Sequence, residues 1–216
     1  MKFHLESCFG AVTRTVSELE REGKPARNVT LERSYDTTPE DLWDAMTNPE
    51  RLPRWFAPVS GELKLGGRYQ VENNAGGVIT ECVPPRYFSV TWEFGGGMSW
   101  VELRIMAEGE ERSRMTLSHI CPLDDHWKKY GPGAVGVGWD LGLVGLAFHL
   151  SARDAERIDE NAFGASSEGK FYIADCSEDW RRAAVAGGED PSRAEAAAKL
   201  VTAFFTGSGP QETGAV

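Results

Sequence analysis

From residue 59 to about 121 the chain is a series of short runs separated by turn signals, and that rhythm leaves few folds open. The runs are SGELKL, GRYQVENN, GVITECVPP, YFSVTWEF, MSWVELRIMAE and RSRMTLSHI. Between them stand Gly66-Gly67, Ala75-Gly76-Gly77, Pro84-Pro85, Gly95-Gly96-Gly97 and Glu108-Gly109-Glu110. Connections this short join neighbouring antiparallel strands, because a parallel pair needs a crossover of a dozen or more residues. Alternation places Val90, Trp92 and Phe94 on one face, with Val101, Leu103 and Ile105 continuing it on the next strand. Met115, Leu117 and His119 share a face on the last strand, while alternation turns Trp100 outward unless the turn shifts the register. A meander with one apolar face must bury that face under another layer.

The stretch GPGAVGVGWDLGLVGLAFHL, Gly131 to Leu150, supplies that layer. It is too glycine-rich and too interrupted by Asp140 and His149 to read as a membrane span, which takes about 20 apolar residues. Its nearest approach to a dinucleotide loop, Gly136-x-Gly138-x-x-x-Gly142, misses the spacing and has no βαβ unit around it. As a helix, it sets Gly138, Gly142, Gly145 and His149 along one stripe, with Trp139, Leu143, Leu146 and Leu150 beside it. Each interior glycine costs about 0.5–1 kcal/mol relative to alanine, so tertiary packing must compensate. The expectation is a helix thinned on one side, either for close approach of the sheet or to leave a space.

Before the meander, RNVTLERSYDT alternates Val29, Leu31, Arg33 and Tyr35 as a strand does. TTPEDLWDAMTN begins a helix, with Thr38 as N-cap and Pro39 at its first position. NPERLPRWF reads as a second short helix, and residues 8–21 fit helix and strand equally. After the long helix, SSEGKFYIADCSEDWRRAAVAGG and DPSRAEAAAKLVTAFF predict two more, the second capped by Asp190.

The formal net charge of -10 and scattered basic residues argue against nucleic acid and anionic lipid as partners. Cys8, Cys82, Cys121 and Cys176 form no CxxC pair, and MKFHLESCFGAV lacks the apolar core of a secretory leader. A cytoplasmic protein with reduced thiols is the expectation.

The order of strand, two short helices, antiparallel meander and long helix is that of the helix-grip fold. TPEDLWDAMTNPERLPRWF, LGGRY, the TWEF strand, the TLSH strand end and the GW that opens the long helix together resemble the START/Bet v 1-like (SRPBCC) superfamily. Within it they are most similar to the branch named after the activator of Hsp90 ATPase homologue. The resemblance implies an α+β fold, a curved antiparallel sheet wrapped around a long C-terminal helix, here with extra C-terminal helices. It implies a cavity between sheet and helix that holds a small hydrophobic or aromatic ligand in many relatives. Others are cyclases or hydrolases, and the branch's name points to a co-chaperone-like interaction module. The domains expected are an N-terminal extension at 1–26, the helix-grip domain at 27–152, a helical extension at 153–206 and a disordered tail at 207–216.

On that layout the expected ligand-binding residues are Trp55, Phe56, Trp92, Leu117, His119, Trp139, Gly142, Leu143 and Leu146. For each, core filling is the competing reading. His119, inward at a strand end, and Asp140, on the helix, are the candidates for acid–base chemistry if there is any. Asp140 reads equally as a charge placed to suit the helix dipole. SHICPLDDHW gathers His119, Cys121, Asp124, Asp125 and His126, but at no zinc-site spacing, so neither metal nor cofactor is expected. Trp180, Phe204 and Phe205 fit a homodimer face or intramolecular packing.

Overall fold

The computed structural model describes residues 12–152 and 157–208. Its eight strands are β1 (Thr13–Arg21), β2 (Lys24–Tyr35), β3 (Val59–Gly61), β4 (Arg68–Val71), β5 (Gly76–Val83), β6 (Tyr87–Phe94), β7 (Gly97–Ala107) and β8 (Ser113–Pro122). The helices are α1 (Pro39–Thr47), α2 (Asp125–Tyr130), α3 (Gly133–Ser151), α4 (Glu160–Ala165), α5 (Ser167–Ala186) and α6 (Pro191–Phe205). A single 3-10 turn, Leu52–Arg54, follows α1 where a second short helix was expected. The strands form one sheet in the order β1-β2-β8-β7-β6-β5-β4-β3. This is the α+β helix-grip architecture, a curved sheet with C-terminal helices.

Turn chemistry fixes the hairpins. Glu22 and Gly23 both have positive φ (53° and 76°), which closes β1 onto β2 with a two-residue loop. The ambiguous segment before it is therefore a strand, and residues 13–26 belong to the sheet rather than to an extension. Gly95 and Gly96 (φ 57° and 82°) close β6 onto β7 in the same way. Trp92 then faces Ser99 and Val90 faces Val101 across the ladder, while Trp100 pairs with Thr91 on the other face and is buried there. SGELKL departs from the expected strand. Only Val59–Gly61 pairs with β4, and Leu63 and Leu65 are exposed in the turn that follows.

Caps set the helix starts. Thr38 accepts from the Asp41 N–H at 3.2 Å, and Asp190 accepts from Ser192 and Arg193 N–H at 3.0 Å each. The CPLDD segment continues β8 to Pro122, and Asp124 caps α2 by accepting from Trp127 N–H at 2.8 Å. Residues 1–11, with Cys8, and residues 209–216 of the expected tail lie outside the described residues.

The chain divides into two compact units that interleave along the sequence. The first holds Leu31–His119 and Gly142–Arg157; the second holds Arg14–Thr30, Ile120–Leu141 and the residues from Ile158 onward. The N-terminal hairpin and the C-terminal helices thus share a unit. There Arg27 donates to the Gly187 carbonyl at 2.8 Å, and a Cβ on Gly187 would meet the Val16 carbonyl at 2.5 Å. Helix α3 is long and apolar enough to cross a bilayer, but 67% of it is buried in the fold, the composition of a core helix.

The glycines of α3 are not interchangeable. In the first unit a Cβ on Gly145 would stand 2.6 Å from the Trp55 carbonyl oxygen, a backbone atom that cannot swing aside. A Cβ on Gly142 would meet the edge of the Trp55 ring at 3.9 Å, an ordinary contact. Gly145→Ala is therefore expected to destabilise by about 1–3 kcal/mol through overpacking. Gly142→Ala should gain about 0.5–1 kcal/mol from helix propensity. Urea unfolding of the two variants checks this, and equal effects would remove the packing argument.

Candidate functional site

The glycine stripe ends at His149, and the three residues Gly142, Gly145 and His149 together seat the segment Arg51–Trp55. Trp55 lies with its ring at Gly142 and its carbonyl at Gly145, donates from Nε1 to the Ala45 carbonyl at 2.9 Å, and is 2% exposed. Phe56 leans on it with ring centroids 5.4 Å apart and is half-buried. Four residues before Trp55, Arg51 reaches His149. Its Nε donates to His149 Nε2 at 3.3 Å, and its Nη1 donates to Asp41 Oδ1 and Asp44 Oδ2, both at 2.9 Å. The spacing of four is the same on both partners, so the helix ridge and the turn match. The Arg51 bonds hold the Asp44 carboxyl below its ordinary range.

His119 occupies the inner face of β8, between the apolar positions Leu117 and Cys121, and is 2% exposed. Its Nε2 lies 2.8 Å from Ser99 Oγ, and Trp92 stands edge-on to its ring at 5.9 Å. Burial pushes the imidazole down to about 3, so the ring is neutral at physiological pH. A group this weakly basic is a poor general base near pH 7. It serves better as a hydrogen-bonding group in an apolar wall.

Asp140 lies in the second unit, fully buried, and its carboxylate is already committed. Arg14 donates to it from Nε and Nη2 at 2.9–3.2 Å, and Trp180 Nε1 donates to Oδ2 at 2.8 Å. Arg14 also pairs with Asp179 at 2.7 Å and donates to Cys176 Sγ at 3.6 Å. Burial pushes the Asp140 carboxyl up, against the pull of Arg14 and Trp180. Burial is the largest influence on the Arg14 guanidinium and works against it, but Asp140, Cys176 and Asp179 together hold that group above its ordinary value. Asp140 is held in a buried ion pair, and since α3 has no acidic residue in its first turn, the reading of Asp140 as a charge suited to the helix dipole gives way.

Trp180 is 1% exposed, and a Cβ on Gly136 would fall 2.3 Å from its ring. It packs inside the second unit and is not a surface for a partner, whereas Phe204 remains 49% exposed. Of the other expected lining residues, Leu117, Leu143 and Leu146 are at most 1% exposed and lie in the first unit with Trp55, Phe56, Trp92, His119 and Gly142. Trp139 is half-buried and belongs to the second. No group of three His, Cys, Asp or Glu side chains among the described residues is arranged to hold a metal.

Sequence reasoning missed Ser99, Arg51 and Arg14. His149 on the glycine stripe was the one available sign of Arg51.

The model of the activator of Hsp90 ATPase homolog 1-like family matches residues 36–150. The chain belongs to this family. CalU16 from Micromonospora echinospora is 27% identical in two solved structures. Its crystal structure (TM-score 0.62) covers 88% of this chain and 98% of CalU16, and its solution structure (TM-score 0.68) covers 82% and 97%. The protein EF2215 from Enterococcus faecalis shares the fold at 20% identity and TM-score 0.54, over 68% of this chain and 83% of its own. No curated protein sequence matches the chain. Members of the family share a fold that is in general a ligand-binding one.

Proposed function

We propose that this family member binds a small hydrophobic or aromatic ligand in its first unit, against the inner face of the sheet and the Gly142–Leu146 stretch of α3. One observation carries the reading. A neutral histidine with a serine partner is placed in an otherwise apolar wall, beside the half-buried ring of Trp92. Burying such a pair costs free energy that apolar residues of the same volume would avoid. A polar pair in an apolar lining is also the usual means of orienting a small ligand. Trp55, Leu117, His119, Leu143 and Leu146 show at most 2% exposure, so the wall is closed on itself and a ligand must displace side chains to enter. Phe56 and Trp92 are the half-buried ones and the ones placed to move.

The test is titration with the neutral fluorescent probe N-phenyl-1-naphthylamine. Saturable binding is expected, weakened about tenfold by Gly142→Trp, which pushes Trp55 into the space a ligand needs. A variant with native circular dichroism and unchanged probe affinity would sink the reading, as would the absence of saturable binding.

A further inference from the structure

The guanidinium of Arg51 is hydrogen-bonded on one side and unpartnered on the other. Nε and Nη1 are spent on His149, Asp41 and Asp44, and Nη1 also reaches the Asp41 carbonyl at 3.2 Å. Nη2 is buried and has no hydrogen-bond partner among the described residues. A buried donor on a charged group is costly to leave unmade, so a fold that satisfies the rest of the guanidinium and not this nitrogen leaves a donor that an acceptor from outside would satisfy.

The surroundings select that acceptor. One cation faces two carboxylates, so the cluster carries no surplus positive charge, and an incoming carboxylate would be repelled by Asp41 and Asp44. His149 accepts from Nε and is thereby held as an acceptor at Nε2, so it offers no competing donor there. A neutral oxygen meets only the unused N–H groups. The position also fits, since Arg51 lies one turn from Trp55 on the segment that α3 seats.

We infer that Arg51 Nη2 is a hydrogen-bond anchor for a ligand carbonyl, which makes the ligand class an apolar or aromatic ketone, ester or amide rather than a hydrocarbon or an acid. The inference rests on the ligand-binding reading above. The probe pair 2-acetylnaphthalene and 2-isopropenylnaphthalene differs only by a carbonyl in place of a methylene. The two compete against N-phenyl-1-naphthylamine for the protein. Apolar burial alone favours the alkene, so preference for the ketone requires a donor.

The wild-type protein is expected to prefer the ketone by about tenfold, the scale of one hydrogen bond to a charged donor. Arg51→Met should erase the preference, and Arg68→Met, at an exposed surface ion pair, should keep it. If Arg51→Met does not fold, Arg51→Lys decides, because it keeps the charge and lacks the Nη2 fork. Equal competition in the wild type overturns the anchor while leaving the pocket standing. Preference that survives in the Arg51 variants assigns the donor elsewhere and also overturns it. Failure of the fluorescent probe to bind at all overturns the pocket and the anchor with it.

Discussion

Asp140→Ala is expected to cost about 3–5 kcal/mol of unfolding free energy, among the largest effects of any single substitution in this chain. The size follows from what stays behind. The Arg14 side chain is 6% exposed, and without Asp140 its Nε and Nη2 lose their carboxylate acceptor inside the protein, while Nη1 keeps Asp179 and Nη2 keeps Cys176. Trp180 Nε1 loses its acceptor as well, and a buried donor left without one adds to the cost. Replacing both partners tests the cause. Asp140→Leu combined with Arg14→Met removes the stranded charge and should recover most of the loss, since apolar groups of similar volume often replace a buried ion pair at little cost. Urea unfolding of both proteins, with m values compared, is the measurement. A loss below about 1 kcal/mol in the single variant would refute the pairing, and no recovery in the double variant would place the cost in the helix instead.

This pair also shows where the sequence stopped being readable. Arg14 and Asp140 stand 126 residues apart, and nothing in either neighbourhood names the other. Val12 and Val16 on the N-terminal segment suit a helix or a strand, so the strand that delivers Arg14 was not distinguishable before its hairpin partner was known. Asp140, seen alone on a helix, invites a dipole explanation that needs no partner. The meander was different. Val90, Trp92 and Phe94 alternate against Val101, Leu103 and Ile105, and Gly95-Gly96 closes the hairpin, so period and turn chemistry agreed and fixed the register.

The glycine stripe falls between these cases. Its thinness was legible from spacing alone, but its occupants, Trp55 over Gly142 and Gly145 and Phe205 beside Gly138, come from remote segments. Binary patterning says that a helix face is narrow and does not say what lies against it. SGELKL failed for a local reason: after Gly61, at φ 110°, the chain turns, and its apolar residues Leu63 and Leu65 are left in the turn rather than on a strand.

His119 gives the second large effect, and the sign follows from burial. In the unfolded chain its imidazole titrates near its ordinary 6.5; in the folded protein burial holds it down to about 3. Between those values the unfolded state binds a proton that the folded state refuses, so stability is full above about pH 6.5 and falls as pH drops toward 3. The gap corresponds to a few kcal/mol, on the order of 4–5 at the acid end, at about 1.4 kcal/mol for each tenfold change. Carboxylates titrate over part of the same range, so the wild-type slope alone does not isolate the histidine. The difference between wild type and His119→Gln does. Glutamine keeps a hydrogen-bonding group toward Ser99 but carries no titrating proton, and its unfolding free energy should decline less from pH 7 to pH 4 than that of the wild type. Parallel declines would mean that His119 is protonated in the folded state, and the neutral anchor in the ligand wall would have to be given up.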